Sequence, residues 1–237
     1  EISCSSEKKP VHFTAINPVD SLAPVNDSTR VITLQKNVDA IRKAGAVPII
    51  NHPNFVWAFG AEELGQVSGW SLIEIENCHP SVNNRGGIGK SSTEEMWDTL
   101  LTKGMKVFGV ASDDTHAYKD FTPNRANPGR GWVCVRCDEL TPGAVSNALD
   151  KGDFYSSTGV ELEDIASDGA SVAVKVKPAG QTAYVVEFIG KSGKVLSTQP
   201  GPSASYKFTG KEGYVRVRIN DSNGFLAWTQ PVFVAKK

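Results

Sequence analysis

The sequence predicts two fold classes in succession: an α/β part built from parallel βα units, as an open sheet or a barrel, over residues 1–159, and a small antiparallel β-sandwich of immunoglobulin-like type over residues 160–237. Three observations carry this. From about residue 29 to 152, segments with helical apolar spacing alternate with short apolar runs. After residue 160 the helical spacing stops, and short alternating runs follow, separated by turn clusters such as KSGK and DSNG. Three apolar runs of the first part end in imidazoles, amides or carboxylates.

In TRVITLQKNVDAIRKAG, Val31, Leu34, Val38 and Ile41 recur at helical spacing and Gly45 supplies the stop. AVPII and SLIEIEN follow as buried strands. SSTEEMWDTLLTKG carries a capping box, Ser92 with Glu95, then a Trp97/Leu100/Leu101 face and a terminating Gly104. MKVFGV and GWVCVRC are the next strands, and TPGAVSNALDKG opens on Thr141 as cap with Pro142 in the first turn and ends at Gly152. Beyond residue 160, SVAVKVK, TAYVVEFIG, SASYKF, GYVRVRIN and FLAWTQPVFV read as strands. In GYVRVRIN, Val215, Val217 and Ile219 face one way and Tyr214, Arg216 and Arg218 the other. This second part is expected to contribute packing and no chemistry.

Composition narrows the partners. With 40% hydrophobic and 22% charged residues, a formal net charge of −1 and no Lys/Arg run, the 237-residue chain has no electrostatic footprint for nucleic acid or an anionic membrane, which leaves a small-molecule substrate. No apolar stretch approaches the ~20 residues of a membrane-spanning helix. The first residue, Glu1, runs straight into ISCSS without Met or a signal-peptide pattern, so the chain is expected to begin within a longer protein. Cys4, Cys78, Cys134 and Cys137 are too few and too irregular for a disulfide scaffold, and the lone CxxC lacks a second pair for zinc. On one strand its two thiols would face opposite ways, so all four read as structural.

The strand ends hold the chemistry. AVPII ends in Asn51-His52-Pro53, SLIEIEN in Glu76-Asn77-Cys78-His79-Pro80, and MKVFGV in Ala111-Ser112-Asp113-Asp114-Thr115-His116. In βα folds the C-terminal strand ends form the active-site face. Singly each residue has a plain explanation: His52 or either aspartate as a cap or turn residue, His12 as a core imidazole, His79 as a loop residue. Together they are the nitrogen and oxygen donors that bind Zn, Mn or Fe, and two such ions activate water and clamp a phosphoryl group. No GxSxG elbow is present, and GGIGK at 86–90 lacks the spacing of a phosphate-binding P-loop.

The ordered series E-I-S, V-H-F-T-A-I, I-I-N-H-P-N, I-E-I-E-N, W-D-x-L-L-x-x-G, G-V-A-S-D-D-T-H and G-D-F-Y-S-S-T-G, over residues 1 to about 165, resembles the PHP (polymerase and histidinol phosphatase) superfamily of metallohydrolases. The branch it looks most like includes carbaryl hydrolase-like proteins. The resemblance implies a distorted (β/α)7 TIM-like barrel whose N-terminal strands are missing, with up to three divalent ions (Zn, Mn or Fe) in the complete protein. Position by position, it implies metal ligation by Glu1, His12, His52, Asp114 and His116, the last two also catalytic. It sets Asn77 at the family's strand-end asparagine, near substrate, and makes Asp113 a hydrogen-bond partner of a ligand histidine. His79, from the strand-end set, and Arg130, to stabilise developing charge, are further candidates for substrate contact. The family's H-x-H and a further histidine lie upstream of the glutamate and are not in this chain. An N-terminal segment of the same protein is expected to supply them and complete the barrel, while this chain alone holds at most one well-coordinated ion and is inactive.

The activity so implied is a metal-dependent phosphoesterase acting on a small phosphorylated molecule through metal-activated water. The alternatives are a carboxylic ester or carbamate hydrolase of the same fold, and a non-catalytic binding protein with a decayed barrel. The appended sandwich suggests a periplasmic or secreted protein, with a cytoplasmic one as the alternative.

Overall fold

A hairpin opens the chain in the computed structural model, which describes residues 1–235. Strands β1 (Ile2–Ser6) and β2 (Lys9–Ile16) are joined by Glu7 and Lys8, both at positive φ (51° and 61°). That two-residue turn matches the twist of paired strands and leaves no room for a helical crossover. Helix α1 (Arg30–Lys43), capped by the Thr29 hydroxyl accepting from Ile32 N, then leads into β3 (Val47–Ile50), which pairs antiparallel with β2. Parallel pairing begins at β3 and continues through β4 (Leu72–Asn77) to β5 (Phe108–Ser112), with α2 (Ala61–Leu64) and α3 (Thr93–Thr102) in the crossovers. The capping box predicted from Ser92 and Glu95 is formed in full.

The result is an open five-stranded sheet, β1-β2-β3-β4-β5, and this corrects the barrel expectation. With 36% of residues in strands and 17% in helices there are too few crossover helices for a (β/α)7 TIM-like barrel, and no sheet closes among the described residues. The physical reason lies on the outer edge of β5. Its backbone groups are satisfied by side chains instead of a further strand: Ser156 Oγ accepts from Ala111 N (3.1 Å) and donates to Gly109 O (2.7 Å), and the Gln230 amide accepts from Gly109 N (2.8 Å) and donates to Gly109 O (2.9 Å). An edge whose donors and acceptors are already taken recruits no neighbour.

The chain then turns to antiparallel structure. β6 (Trp132–Val135), α4 (Pro142–Lys151) and β7 (Phe154–Ser157) precede β8 (Leu162–Ser167), β9 (Ser171–Val176), β10 (Tyr184–Gly190), β11 (Lys194–Pro200), β12 (Ser203–Lys207), β13 (Tyr214–Asp221), β14 (Leu226–Thr229) and β15 (Val232–Phe233). One sheet runs β11-β10-β13-β14-β7-β6 with β15 beside β13, the other β12-β9-β8, and Val172, Val174, Val176, Val186, Phe188, Val217 and Ile219 from both sheets share one core. Since β7 pairs with β14, hydrogen bonding runs unbroken across residue 159.

A buried ion network joins the two parts. Alternation in β13 is as predicted, but the Tyr214/Arg216 face packs on α3 instead of facing water, and Arg216 is only 1% exposed. Its guanidinium clasps Asp98 through Nε (2.8 Å) and Nη2 (2.7 Å), reaches Glu94 (3.0 Å) and lies 4.8 Å over the Trp97 ring. Tyr214 Oη donates to Asp98 (2.7 Å), and Arg218 bridges Glu94 and Glu187. Burial works against ionisation of Glu94, but Arg216 and Arg218 outweigh it and hold its pKa below the usual value. No helix of the described residues is long and apolar enough to cross a membrane.

Candidate metal centre

Glu1, His12 and His52 converge because of how the first three strands pair. Ser3 lies opposite His12 in the hairpin and donates to Glu1 Oε1 (3.0 Å), which sets the Glu1 carboxylate on the His12 side. Asn51 N donates to His12 O (3.1 Å), so the residue just past β3 stays in register with β2 and His52 swings toward the same face. Glu1 Oε1 is 3.1 Å from His12 Nδ1, Glu1 Oε2 is 3.9 Å from His52 Nε2, and one donor atom from each of the three residues lies within 4.8 Å of the others. Donors around a tetrahedral ion at ~2.1 Å stand ~3.4 Å apart, so these three atoms are close enough together to hold a metal ion after slight adjustment. Phe55 packs against both rings, with centroids 6.4 Å from His12 and 5.4 Å from His52, and walls off one side.

The electrostatics are those of a site short of positive charge. Hydrogen bonds from His12 and then His52 hold the Glu1 carboxyl far below the ordinary range. Burial opposes charge on His52, but Glu1, Glu74 and Asp114 together raise its pKa above the usual value. Among the described residues, none of Glu1, Glu74 and Asp114 has a Lys or Arg within ion-pair distance.

Glu74 does not stand out in the sequence, yet it organises the strand ends. Its Oε2 accepts from His52 N (2.7 Å) and Asn77 Nδ2 (2.9 Å), and its Oε1 from Ser112 Oγ (2.6 Å), so one carboxyl ties together the ends of β3, β4 and β5. Burial pushes its pKa up. All six residues of β4 are buried, and a carboxylate inside such a strand is the one signal that could have found it.

The remaining candidates fall into place around this knot. Asn77 also donates to Asp114 Oδ2 (3.2 Å), and Asp114 sits at φ 49°, a left-handed bend that Asp tolerates and that turns the chain back toward Asn77. Asp114 and His116 stand beside the triad and are not members of it. His116 is 66% exposed and its ring meets His79 edge-on, centroids 5.1 Å apart. Among the described residues, Asp113 makes no hydrogen bond to a histidine. It accepts from Gly129 N, Arg130 N and Gly131 N (2.8, 2.6 and 2.8 Å) and pins the return of the loop that leaves β5. That return is close: a Cβ on Gly131 would lie 2.8 Å from Cys78 Sγ and from Ser112 O. Arg130 spends its guanidinium on the same loop, donating to Thr122 O, Pro123 O and Asn127 Oδ1, which turns it away from a substrate role.

No protein-family model matches the chain, and no curated protein does. Among solved structures, the chain is similar to β-glucuronidase from Ruminococcus gnavus: the complex with D-glucuronic acid aligns at 14% identity over 33% of this chain and 16% of that one, with a TM-score of 0.22. The complex with uronic isofagomine gives 13% identity, 33% and 15% coverage, and a TM-score of 0.23. Likeness at that level carries no argument about fold or chemistry. The site has to be judged on its own atoms.

The thiols are all free: Cys4 is buried, Cys137 is exposed, and Cys78, whose Sγ donates to Arg130 O (3.2 Å), is pushed up to about 12, chiefly by burial. None joins the Glu1/His12/His52 group.

Proposed function

We propose that this chain binds one divalent cation through Glu1, His12 and His52 and is part of a metal-dependent hydrolase of small anionic esters, phosphomonoesters first. The observation that carries the reading is the donor set: Glu1, His12 and His52 each bring one ligand atom within 4.8 Å of the others, and among the described residues no Lys or Arg lies within ion-pair distance of Glu1, Glu74 or Asp114. A divalent cation bound there would act as a Lewis acid and lower the pKa of water at the site. The resemblance of the ordered motifs to those of PHP metallohydrolases supports the choice of phosphoryl chemistry.

The chain's own residues have separable roles in this reading. Glu74 holds the His52 backbone and the Asn77 amide, and Asn77 in turn orients Asp114. Among the described residues Asp114 Oδ1 makes no hydrogen bond, with His116 Nδ1 at 3.6 Å, and in this reading it takes a proton from an attacking water. The test has two parts. Native mass spectrometry should find one Zn²⁺ or Mn²⁺ per chain, lost in His52→Ala. In the protein that carries this chain, hydrolysis of an aryl phosphate should exceed that of an aryl acetate, and Asp114→Ala should lower it by about 100-fold or more. Faster acetate turnover selects the ester or carbamate alternative, and turnover that survives metal removal ends the metal-dependent reading.

A further inference from the structure

The two exposed-side imidazoles, His79 and His116, are held in opposite tautomers, and the difference assigns them different partners. Ser81 N donates to His79 Nδ1 (3.1 Å), and a backbone N–H can only donate. The His79 lone pair is therefore at Nδ1, and the ring proton is at Nε2. Across from it, His116 Nδ1 lies 2.7 Å from the carbonyl oxygen of Asp114, which can only accept. There the proton is on Nδ1 and the lone pair is at Nε2. The His79 main chain is fixed as well, since its N donates to Asn77 Oδ1 (2.9 Å) and its O accepts from Val82 N (3.0 Å). Neither Nε2 has a hydrogen-bond partner among the described residues.

We propose that His79 is a specificity-determining donor, its Nε2–H binding an anionic oxygen of the substrate, a phosphoryl oxygen, and that it is not a cation ligand. A nitrogen that carries a proton offers no lone pair to a metal, whereas it makes a charge-assisted hydrogen bond to an oxyanion. The position suits that role, because Asn77, whose carbonyl oxygen fixes His79, is the same residue that orients Asp114. The choice of a phosphoryl group rests on the hydrolase reading above; the tautomer does not.

Two measurements test this. Two-bond ¹H–¹⁵N correlation spectra of the histidine side chains should show His79 protonated at Nε2 with Nδ1 bare, and His116 the reverse; a His79 ring protonated at Nδ1 alone overturns the proposal. Inorganic phosphate titrated into the Zn²⁺-loaded protein should bind roughly tenfold or more weakly to His79→Ala. His79→Gln, which keeps an N–H donor, should recover most of that loss, and both variants should retain the full Zn²⁺ stoichiometry. Zn²⁺ lost from His79→Ala, or undiminished phosphate affinity in it, overturns the assignment. If the wild-type chain binds no Zn²⁺, the metal reading fails, and the same phosphate titration on metal-free protein decides His79 by itself.

Discussion

Two groups of carboxylates in this molecule are partnered differently. At the seam, Glu94 and Asp98 are neutralised by Arg216 and Arg218 within a shell of Tyr214 and Trp97. At the strand ends, Glu1, Glu74 and Asp114 are met by histidines, an asparagine and a serine, none of which brings a permanent positive charge. A carboxylate that has its cation inside the fold serves architecture. One that lacks it is set up for a cation from outside.

Breaking the seam should have the largest effect. Arg216→Met leaves Asp98 and Glu94 buried without their main cation and should cost about 3–5 kcal/mol in urea denaturation. A loss under about 1 kcal/mol would mean that the seam is not the closed ion network described. The strand ends should behave in the opposite sense, gaining stability when a cation is added. Zn²⁺ or Mn²⁺ at ~100 times its Kd should stabilise the fold by about 2.7 kcal/mol, and His52→Ala should abolish the gain. Calorimetric melting with and without metal measures both.

Acidity separates the same regions by sign. The pKa of Glu94 is lowered from 4.5 in the fold, so its stabilisation is complete above pH 4.5 and is lost as pH falls through the lowered value. The pKa of Glu74 is raised from 4.5, so the metal-free fold binds the extra proton, and stability falls as pH rises from 4.5 through the raised value. Unfolding followed against pH should therefore flatten below 4.5 in Glu94→Gln and above 4.5 in Glu74→Gln. The smallest effect expected is at the helix that carries the seam acids: Ser92→Ala removes the α3 cap and should cost ~1 kcal/mol, leaving metal affinity unchanged.

Legibility in the sequence follows how local each determinant is. Helices α1, α3 and α4 can be placed because Gly45, the Ser92/Glu95 box and Thr141–Gly152 are signals within one turn of the element they bound, whereas the four-residue α2 is not anticipated. His12 and His52 are legible as donors because strand-end imidazoles stand out, although their approach to Glu1 depends on the pairing of β1, β2 and β3. The barrel expectation fails because closure is decided far from any local pattern: Ser156 and Gln230, 47 and 121 residues from Gly109, occupy the edge of β5. The alternation of GYVRVRIN is legible, but nothing in it reveals that α3 covers the Tyr214/Arg216 face. Glu74 escapes notice for the same reason, since its partners come from three separate strand ends.

The Asp113 carboxylate, gripping Gly129, Arg130 and Gly131 N–H, has a consequence for how this site could change over time. It closes the excursion between Asp114 and Gly129 at its base, so the length and composition of its outer part, beyond His116, are uncoupled from the position of Asp114. Loop-closure entropy grows slowly with length, about 0.6 kcal/mol for each doubling. The rim that carries Tyr118 and Phe121 is therefore an exchangeable part: new segments could be fitted there to meet new substrates while the donors beneath stay where they are.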